Sequence, residues 1–409
     1  MEQQWVAYLC LFVTALVVSL LMTPIASKIA WRVGAVDYPD KRRINQKPTP
    51  RMGGIAIFAG IAAMLLVRYL GCRYLGWNIV FSPSPRYTVI ALPANIDFTL
   101  LAVAFFVIFV TGIIDDVVSL SPRKKFLGQL IAASIAVASG LVIGDVVNPL
   151  QSDTLLQVGW LTYPVTIIYL VAYANIFNLI DGLDGLASGI AFIASMTLFV
   201  LSLLRGQMDA ASLAIALAGS TLGFLRYNFH PAQIFLGDCG SLLLGFTLAT
   251  VSLLSVTRIS SLTTIIVPLV VAGIPIIDTL SAIVRRSRAH VSVGQADKGH
   301  IHHRLMDEGF DQRQTVLVIY AWTALLSLGA IVLTQLDQMP RIVVFVLLVL
   351  ASVVFAARLK LFRPVLLHHY NPRTGNDEII SPQDPEFEKE EARFEKEHAP
   401  RVPFRKQDS

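Results

Sequence analysis

The sequence predicts an all-α polytopic membrane protein with about eleven transmembrane helices and cytoplasmic active-site loops. Of its 409 residues, 55% are hydrophobic and only 15% are charged, and the mean hydropathy is +0.63. The apolar residues form continuous runs close to the ~20 residues that an α-helix needs to cross a bilayer. The runs do not alternate between apolar and polar residues, which argues against a membrane β-barrel.

Apolar windows define the predicted spans and the domain division. Glu2 rather than a basic segment precedes the first run, so we interpret this run as a membrane helix and not as a removed signal peptide. The spans are predicted at residues 6–25, 54–70, 99–118, 126–147, 160–176, 186–204, 211–224, 241–256, 262–284, 315–333 and 342–359. A multi-span catalytic domain therefore occupies residues 1–360, and a charged cytoplasmic tail follows at residues 361–409.

The placement of basic residues sets the expected orientation. If the N-terminus lies outside, the segments after odd-numbered spans are cytoplasmic, and they hold 27 of the 33 lysines and arginines. Cytoplasmic loops carry such an excess. We therefore expect a membrane protein with its N-terminus outside and with cytoplasmic loops that attract anionic groups. Because the positive charge follows the membrane topology, nucleic acid is not an expected partner.

Two further features of the sequence predict no chemistry. The three cysteines, Cys10, Cys72 and Cys239, lie far apart and indicate neither a disulfide framework nor a zinc site. Residues 377–398 are rich in Glu, Lys and Asp, which is typical of a solvated tail. The alternative for this tail is a short partner-docking helix that carries Phe387 and Phe394.

Polar residues gather where four odd-numbered spans end, and the predicted topology places all of them at the cytoplasmic face. An unpaired carboxylate near the membrane is costly, so such acids are candidates for function. The clusters are Asp115 and Asp116 after the third span; Asn175, Asn178, Asp181 and Asp184 after the fifth; Asn228, His230 and Asp238 after the seventh; and Asp278, Arg285, Arg286, Lys298, His300, His302, His303 and Arg304 at or after the ninth.

Asp115 and Asp116 are adjacent, so their side chains point about 100° apart on a helix and do not chelate one ion together. We expect one to face the site and the other to bind a loop or a basic residue. Two close carboxylates repel each other, which suits a general base. The alternative is an ordinary acid pair at a helix end, where the helix dipole disfavours negative charge.

Polar residues recur every three positions from Asn175 onwards, which keeps Asn178 and Asp181 near one side of a helix. Gly182 and Gly185 then end the helix and let backbone amides approach a ligand. Amide and carboxylate oxygens are typical ligands of Mg²⁺ and typical partners of a nucleotide. A bare turn explains the glycines but not the run of oxygen-bearing side chains.

Two further clusters are open to more than one interpretation. Asp238 lies between Gly237 and Gly240 just before a span, where it is either a helix N-cap or a metal ligand. The run from His300 to Arg304 suggests either zinc binding or phosphate recognition. Its spacing does not match a zinc motif and no cysteine lies nearby, so we favour phosphate recognition.

A membrane setting, acids for a divalent cation and bases for phosphates together predict phosphoryl transfer between a lipid phosphate and a water-soluble nucleotide. There is no Walker A sequence, so an ATPase lacks its phosphate cradle. An ion-coupled transporter is the alternative from another class. It would place its acids near the middle of the bilayer on broken helices, whereas these acids lie at one face.

Five motifs in this order resemble those of the polyprenyl-phosphate N-acetylhexosamine-1-phosphate transferases. The resemblance implies eleven membrane helices and dependence on Mg²⁺, with Mn²⁺ as the alternative. It also implies transfer of a sugar 1-phosphate from a UDP-sugar to undecaprenyl or a similar phosphate, with release of UMP; a homodimer is left open. The motifs are Pro48-Thr49-Pro50-Arg51-Met52-Gly53-Gly54, Asp115-Asp116, Asn175 to Gly185, Phe235 to Ser241 and His300 to Arg304.

The resemblance also implies roles for single residues. Asn178 and Asp238 look like magnesium ligands, and Asp115 is similar to an acid that deprotonates or orients the lipid phosphate, with Asp116 beside it. Whether the transfer is direct or passes through a covalent phosphosugar stays open. The implied sets are Asp115, Asp116 and Asp238 for catalysis; Asp181, Asp184 and Asn228 for the nucleotide; and Lys125, His300, His302, His303 and Arg304 for phosphates.

Two positions separate the branches of this family. The branch that makes lipid I from UDP-MurNAc-pentapeptide typically has a lysine where this chain has Ser119, and three consecutive histidines where Ile301 interrupts the run. Both departures favour the branch that uses UDP-N-acetylglucosamine, with lipid I synthesis as the alternative. That branch usually has a histidine near Asn45, which puts a titratable group there in doubt.

Overall fold

The computed structural model describes residues 2–39, 47–77, 79, 96–143, 146–147, 155–156, 159–255, 270–288, 299–359, 361, 367–371, 376–380 and 389. Within these ranges nine helices are long and apolar enough to cross a membrane, which confirms an all-α polytopic membrane protein. The helices are α1 (Glu2–Val33), α2 (Gly54–Tyr74), α3 (Phe98–Val118), α4 (Pro122–Ala138), α5 (Thr162–Ile180), α6 (Leu186–Leu204), α7 (Met208–Asn228), α8 (Gly237–Leu254), α9 (Gly273–Arg288), α10 (Ile301–Asp307), α11 (Gln312–Gln335) and α12 (Gln338–Arg358).

Two predicted spans differ from the helices at the same place in the chain. The fourth span was expected to reach residue 147, but α4 ends at Ala138 because Ser139 caps it and Gly140 adopts a left-handed φ of +91°. Residues 262–269 of the ninth predicted span lie outside the described residues, and α9 covers its residues 273–284. The total of eleven spans therefore stays a prediction.

Helix α8 lies at the centre of the helix packing. It packs against α3 and α5, and its residues 239–254 are buried throughout. Helix α1 packs against α2 and α7, and α6 packs against α7 and α11. By contrast α12 leaves large apolar side chains such as Leu347 and Val354 exposed, as expected for a helix surface that faces lipid. The first turn of α8 is therefore held by several neighbouring helices.

Short antiparallel strand pairs join some of the helices. Strands β1 (Val36–Asp37) and β2 (Thr49–Pro50) form one pair, and β3 (Val146–Val147) and β4 (Leu155–Leu156) form another. In the tail, β5 (Leu367–Asn371) pairs with β6 (Asn376–Ile380). This hairpin was not expected from the sequence. Phe387 and Phe394, the basis of the predicted docking helix, lie outside the described residues.

Contacts divide the chain into two compact units. The first comprises Met1–Ile276 and Phe310–Leu350, and the second comprises Ile277–Gly309 and Ala351–Ser409. The first unit contains the acids that follow the third, fifth and seventh spans, and the second contains Asp278 and the histidine run. Each unit is described by itself below. The division at residue 360 stays a prediction.

Candidate active site

Backbone atoms of α2 and α3 pack closely against the first turn of α8. A Cβ atom on Gly54 would lie 2.3 Å from the backbone nitrogen of Gly240, and a Cβ on Gly112 would lie 2.3 Å from the Cα of Cys239. The Gly54 N–H also donates to the Leu236 carbonyl at 3.1 Å. Only glycine permits this approach. The glycines that end the Pro48–Gly54 motif thus help to position the start of α8.

Asp116 caps α8 from a different helix. Its Oδ1 accepts the backbone N–H of Asp238 at 2.8 Å, and its Oδ2 accepts the N–H of Cys239 at 3.0 Å. Helix α8 has no side-chain cap of its own, so the N-cap interpretation of Asp238 is wrong. Gly237 has a φ of +73°, and a Cβ there would lie 2.7 Å from Asp116 Oδ2. Asp116 is therefore a positioning residue for Asp238.

Three side-chain oxygens from different helices converge on one ammonium group. The Nζ of Lys125 lies 3.0 Å from Asp115 Oδ2, 2.6 Å from Asp238 Oδ1 and 3.0 Å from Asn178 Oδ1. The Asn178 amide nitrogen donates to Asp238 Oδ1 at 2.5 Å and to Ser241 Oγ at 2.8 Å, which turns its oxygen toward Lys125. The structure thus brings together the residues to which the sequence assigned metal binding and proton transfer.

Asp115 and Asp116 point in different directions, as their adjacent positions predicted. Asp115 Oδ1 accepts the backbone N–H of Leu120 at 2.7 Å, which leaves Oδ2 directed at Lys125. Ser119 adopts a left-handed φ of +53° at the end of α3, which turns the chain so that the Leu120 N–H reaches the Asp115 carboxylate. Burial disfavours the charged ammonium of Lys125, but the Asp238 and Asp115 carboxylates outweigh this effect and raise its pKa.

A pair of amides fixes α4 against α5. The Gln129 amide nitrogen donates to Asn175 Oδ1 at 3.2 Å, and the Asn175 amide nitrogen donates back to Gln129 Oε1 at 2.6 Å. Gln129 is buried and lies one turn after Lys125, while Asn175 lies one turn before Asn178. The pair therefore sets the register that lets Lys125 reach Asn178. Sequence reasoning missed Gln129, although a lone glutamine in an apolar run was a usable signal.

The predicted nucleotide-binding acids differ in their surroundings. Asp184 Oδ2 lies 2.8 Å from His230 Nδ1 and accepts the Ala232 N–H at 3.0 Å, so this carboxylate holds the loop after α7. Burial, followed by the negative charges of Asp238, Asp116 and Asp184, raises the pKa of Asp181 well above its ordinary value. The contacts of Asp181 and Asp184 with a nucleotide stay predictions.

Asn228 has both ends of its amide engaged inside the protein. Its Oδ1 accepts the Ser188 hydroxyl at 2.7 Å, and its Nδ2 donates to the Ile234 carbonyl at 3.0 Å. The side chain is buried. In this arrangement Asn228 fastens the α7–α8 loop to α6, and its contact with a nucleotide stays a prediction.

In the second unit, Asp278 organises the start of the histidine run. Its Oδ2 lies 2.7 Å from His300 Nδ1, and its Oδ1 accepts the Ile301 N–H at 2.7 Å. His302 is buried between the rings of His300 and His303. Burial and then the charge of His303 lower the pKa of His302 to about 3. A neutral imidazole still carries one N–H donor, and the contact of His302 with phosphates stays a prediction.

The oxygen set fits a hard divalent cation. Asp238 supplies a carboxylate oxygen and Asn178 supplies an amide oxygen, both within 3.0 Å of one cationic atom. Such ligands suit Mg²⁺. Among the described residues no group of three or more His, Cys, Asp or Glu side chains is arranged to hold a metal ion. Lys298 lies outside those residues.

The fold and this cluster define a class of polytopic membrane proteins with a polar site that suits a divalent cation. A sequence profile described as glycosyl transferase family 4 matches residues 98–256, the segment that carries the cluster. The chain belongs to this family, the polyprenyl-phosphate N-acetylhexosamine-1-phosphate transferases.

Relatives from three bacteria show how the chain is placed within it. It is 38% identical to a probable undecaprenyl-phosphate N-acetylglucosaminyl 1-phosphate transferase of Bacillus subtilis, over 87% of this chain and 93% of the relative. It is 36% identical to a decaprenyl-phosphate N-acetylglucosaminephosphotransferase of Mycobacterium tuberculosis, over 78% of this chain and 80% of the relative. It is 30% identical to a phospho-N-acetylmuramoyl-pentapeptide-transferase of Geobacillus kaustophilus, over 76% of this chain and 91% of the relative.

Proposed function

We propose that this protein transfers N-acetylglucosamine 1-phosphate from UDP-N-acetylglucosamine to undecaprenyl phosphate or a similar polyprenyl phosphate and releases UMP. The observation that carries the proposal is the convergence of Asp115, Asn178 and Asp238 oxygens on one cationic position at Lys125. Phosphoryl transfer depends on charge neutralisation and positioning, and this cluster supplies both. The lipid-linked product starts the synthesis of a cell-wall or surface polysaccharide.

The bonds that change define what the residues must do. An oxygen of the lipid phosphate attacks the β-phosphorus of the UDP-sugar, the bond from this phosphorus to the bridging oxygen breaks, and UMP leaves with that oxygen. Asp115 Oδ2, which is free of backbone contacts, accepts a proton from the lipid phosphate or orients it. Lys125 binds phosphate oxygens. Mg²⁺ held by Asn178 and Asp238 would withdraw charge from the diphosphate.

The choice of sugar rests on two kinds of support. The relatives named for N-acetylglucosamine are 38% and 36% identical to this chain, whereas the relative named for the muramoyl-pentapeptide is 30% identical. Ser119 and Ile301 also depart from the pattern of the lipid I branch. Transfer of a muramoyl-pentapeptide phosphate is therefore the second candidate.

The assay that tests the proposal measures UMP release. Purified protein in detergent receives undecaprenyl phosphate, Mg²⁺ and one UDP-sugar from a panel that includes UDP-N-acetylglucosamine and UDP-MurNAc-pentapeptide. We expect release only with the first. No release with any UDP-N-acetylhexosamine, in conditions where a related enzyme works, would sink the proposal.

The metal role is tested by Asp238→Asn, which keeps the shape of the side chain and removes its charge. We expect turnover to fall by at least ~100-fold because a ligand and a charge partner are lost together. Asp311→Asn is the matched control, since Asp311 caps α11 at an exposed position. Full activity of Asp238→Asn at low Mg²⁺ would refute the metal role.

We also propose that the N-terminus lies outside and that the cluster faces the cytoplasm of a bacterial cell. Single cysteines report this in intact cells. Lys124→Cys, beside the cluster, should react with an impermeant thiol reagent only after the cells are opened, whereas Arg205→Cys, at the end of α6, should react in intact cells. The reverse pattern contradicts the orientation.

A further inference from the structure

The ammonium of Lys125 lies at the point where the oxygen set converges. Its Nζ is 3.0 Å from Asp115 Oδ2, 2.6 Å from Asp238 Oδ1 and 3.0 Å from Asn178 Oδ1. The three oxygen donors stand on α3, α8 and α5, while the lysine reaches in from the first turn of α4. A cation carried by the chain itself thus occupies the point to which these donors direct their charge.

We propose that the Lys125 ammonium and a divalent cation exchange at this point, so that Lys125 is the built-in competitor of the metal. This inference rests on the proposed function only for the presence of a divalent cation. Magnesium binds oxygens at roughly 2.0–2.1 Å, and the ammonium already lies 2.6 Å from Asp238 Oδ1 and 3.0 Å from Asn178 Oδ1, the two oxygens assigned to the metal. Two cations at such separations repel strongly. The point therefore accepts one cation at a time.

The lysine has the freedom that such an exchange needs. Its side chain is 17% exposed, whereas that of Asp115 is only 7% exposed. A lysine is a point charge on a flexible four-carbon stem, so its ammonium can leave the carboxylates without displacing α4. The released ammonium then binds phosphate oxygens of the substrate. Lys125 thus first neutralises the repulsion between the carboxylates and later contacts the substrate.

The stationary partners keep the ligand geometry during the exchange. Asp115 Oδ1 stays bound to the Leu120 N–H, and Asn178 stays bound to Ser241 through its amide nitrogen. Neither contact involves Lys125. The oxygens are therefore preorganised for a metal ion, and the competing ammonium lowers their affinity for that ion.

The test is metal binding in the absence of nucleotide and lipid. Free Mn²⁺ is measured by electron paramagnetic resonance during titration of the wild-type protein and of Lys125→Met. We expect Lys125→Met to bind Mn²⁺ about tenfold more tightly because the competitor is gone. Lys124→Met is the matched control. It removes the same charge from the neighbouring, exposed position and should change the affinity by less than about twofold.

Two results overturn the exchange. One is an unchanged or weaker affinity in Lys125→Met, and the other is an equal gain in Lys124→Met. The wild-type protein provides a second measurement if the variant fails to fold. Added Mg²⁺ should increase acylation of Lys125 several-fold relative to Lys124, as read by mass spectrometry, and no increase contradicts release of the ammonium.

The outcomes also separate this inference from the proposed function. A tighter Mn²⁺ affinity in Lys125→Met together with no UMP release from any UDP-sugar leaves the exchange standing and rejects the transferase assignment. UMP release from the wild-type protein together with an unchanged Mn²⁺ affinity in the variant rejects the exchange alone.

Discussion

The cap that Asp116 provides for α8 gives a quantitative prediction for Asp116→Asn. The carboxylate accepts two backbone N–H groups, one partly and one fully buried, at 2.8 and 3.0 Å. An asparagine keeps one acceptor oxygen and sets its NH₂ group against the other N–H. The variant should therefore loosen the first turn of α8, which carries Asp238 and Cys239.

The size of the effect follows from the lost contact. A hydrogen bond to a charged acceptor contributes ~1.5–3 kcal/mol. Relief of the repulsion between Asp116 and the nearby Asp238 offsets part of the loss. A net cost of about 2 kcal/mol corresponds to a ~30-fold increase in opening of the turn.

Cys239 supplies the assay, because its thiol is buried in this turn while Cys10 and Cys72 are partly exposed. We expect its labelling rate to rise ~30-fold in Asp116→Asn, with the two other cysteines as internal references. The control is Asp97→Asn. Asp97 also accepts two backbone N–H groups, at 2.9 and 3.0 Å, but at an exposed helix start. Asparagine caps as well as aspartate there, so labelling should change less than about threefold. Equal effects in both variants would refute the reasoning.

Three further predictions follow from contacts around the cluster. Gln129→Leu should lower the free energy of unfolding by ~2 kcal/mol because the Asn175 amide loses its hydrogen bonds with Gln129. The double variant with Asn175→Leu should recover most of this loss, and no recovery argues against a stabilising amide pair. Gly237→Ala should destabilise the protein by more than the ~1–2 kcal/mol that a left-handed backbone costs an alanine, since its Cβ would clash with Asp116. Gly34→Ala is the control, because Gly34 has a similar φ but no neighbouring atoms, so this variant measures the backbone cost alone. Asp278→Asn should cost about tenfold in kcat/KM, and this loss should vanish in a His300→Ala background if Asp278 acts by orienting that ring.

The helices and the position of the acids could be predicted from the sequence because both depend on local patterns. Continuous apolar runs predicted the spans, and the 100° step between neighbours predicted that Asp115 and Asp116 diverge. The partner of Asp116 could not be predicted in this way. It is the backbone of Asp238 and Cys239, more than a hundred positions along the chain, and a backbone donor leaves no trace in residue type.

Residue type alone did not reveal the partners of some side chains. Lys125 is predicted to bind phosphate, and its three oxygen partners come from three other helices and become visible only in the packed protein. Burial also lowers the pKa of His302 to about 3, and this effect of packing cannot be read from the basic residues beside it in the sequence. The end of α4 depended on the left-handed Gly140, a signal that was present in the sequence but was outweighed by the apolar residues after it.

The close contacts of Gly54 and Gly112 with the backbone of α8 bear on how this protein can acquire new specificity. Contacts between backbone atoms cannot adapt by a change of side-chain rotamer. A methyl group added at these glycines would therefore displace a whole helix. Laboratory selection for a different sugar should therefore leave these glycines untouched. Accepted substitutions should accumulate in segments whose side chains, rather than backbones, make the contacts. The chemistry and the choice of substrate would then evolve at different rates within one chain.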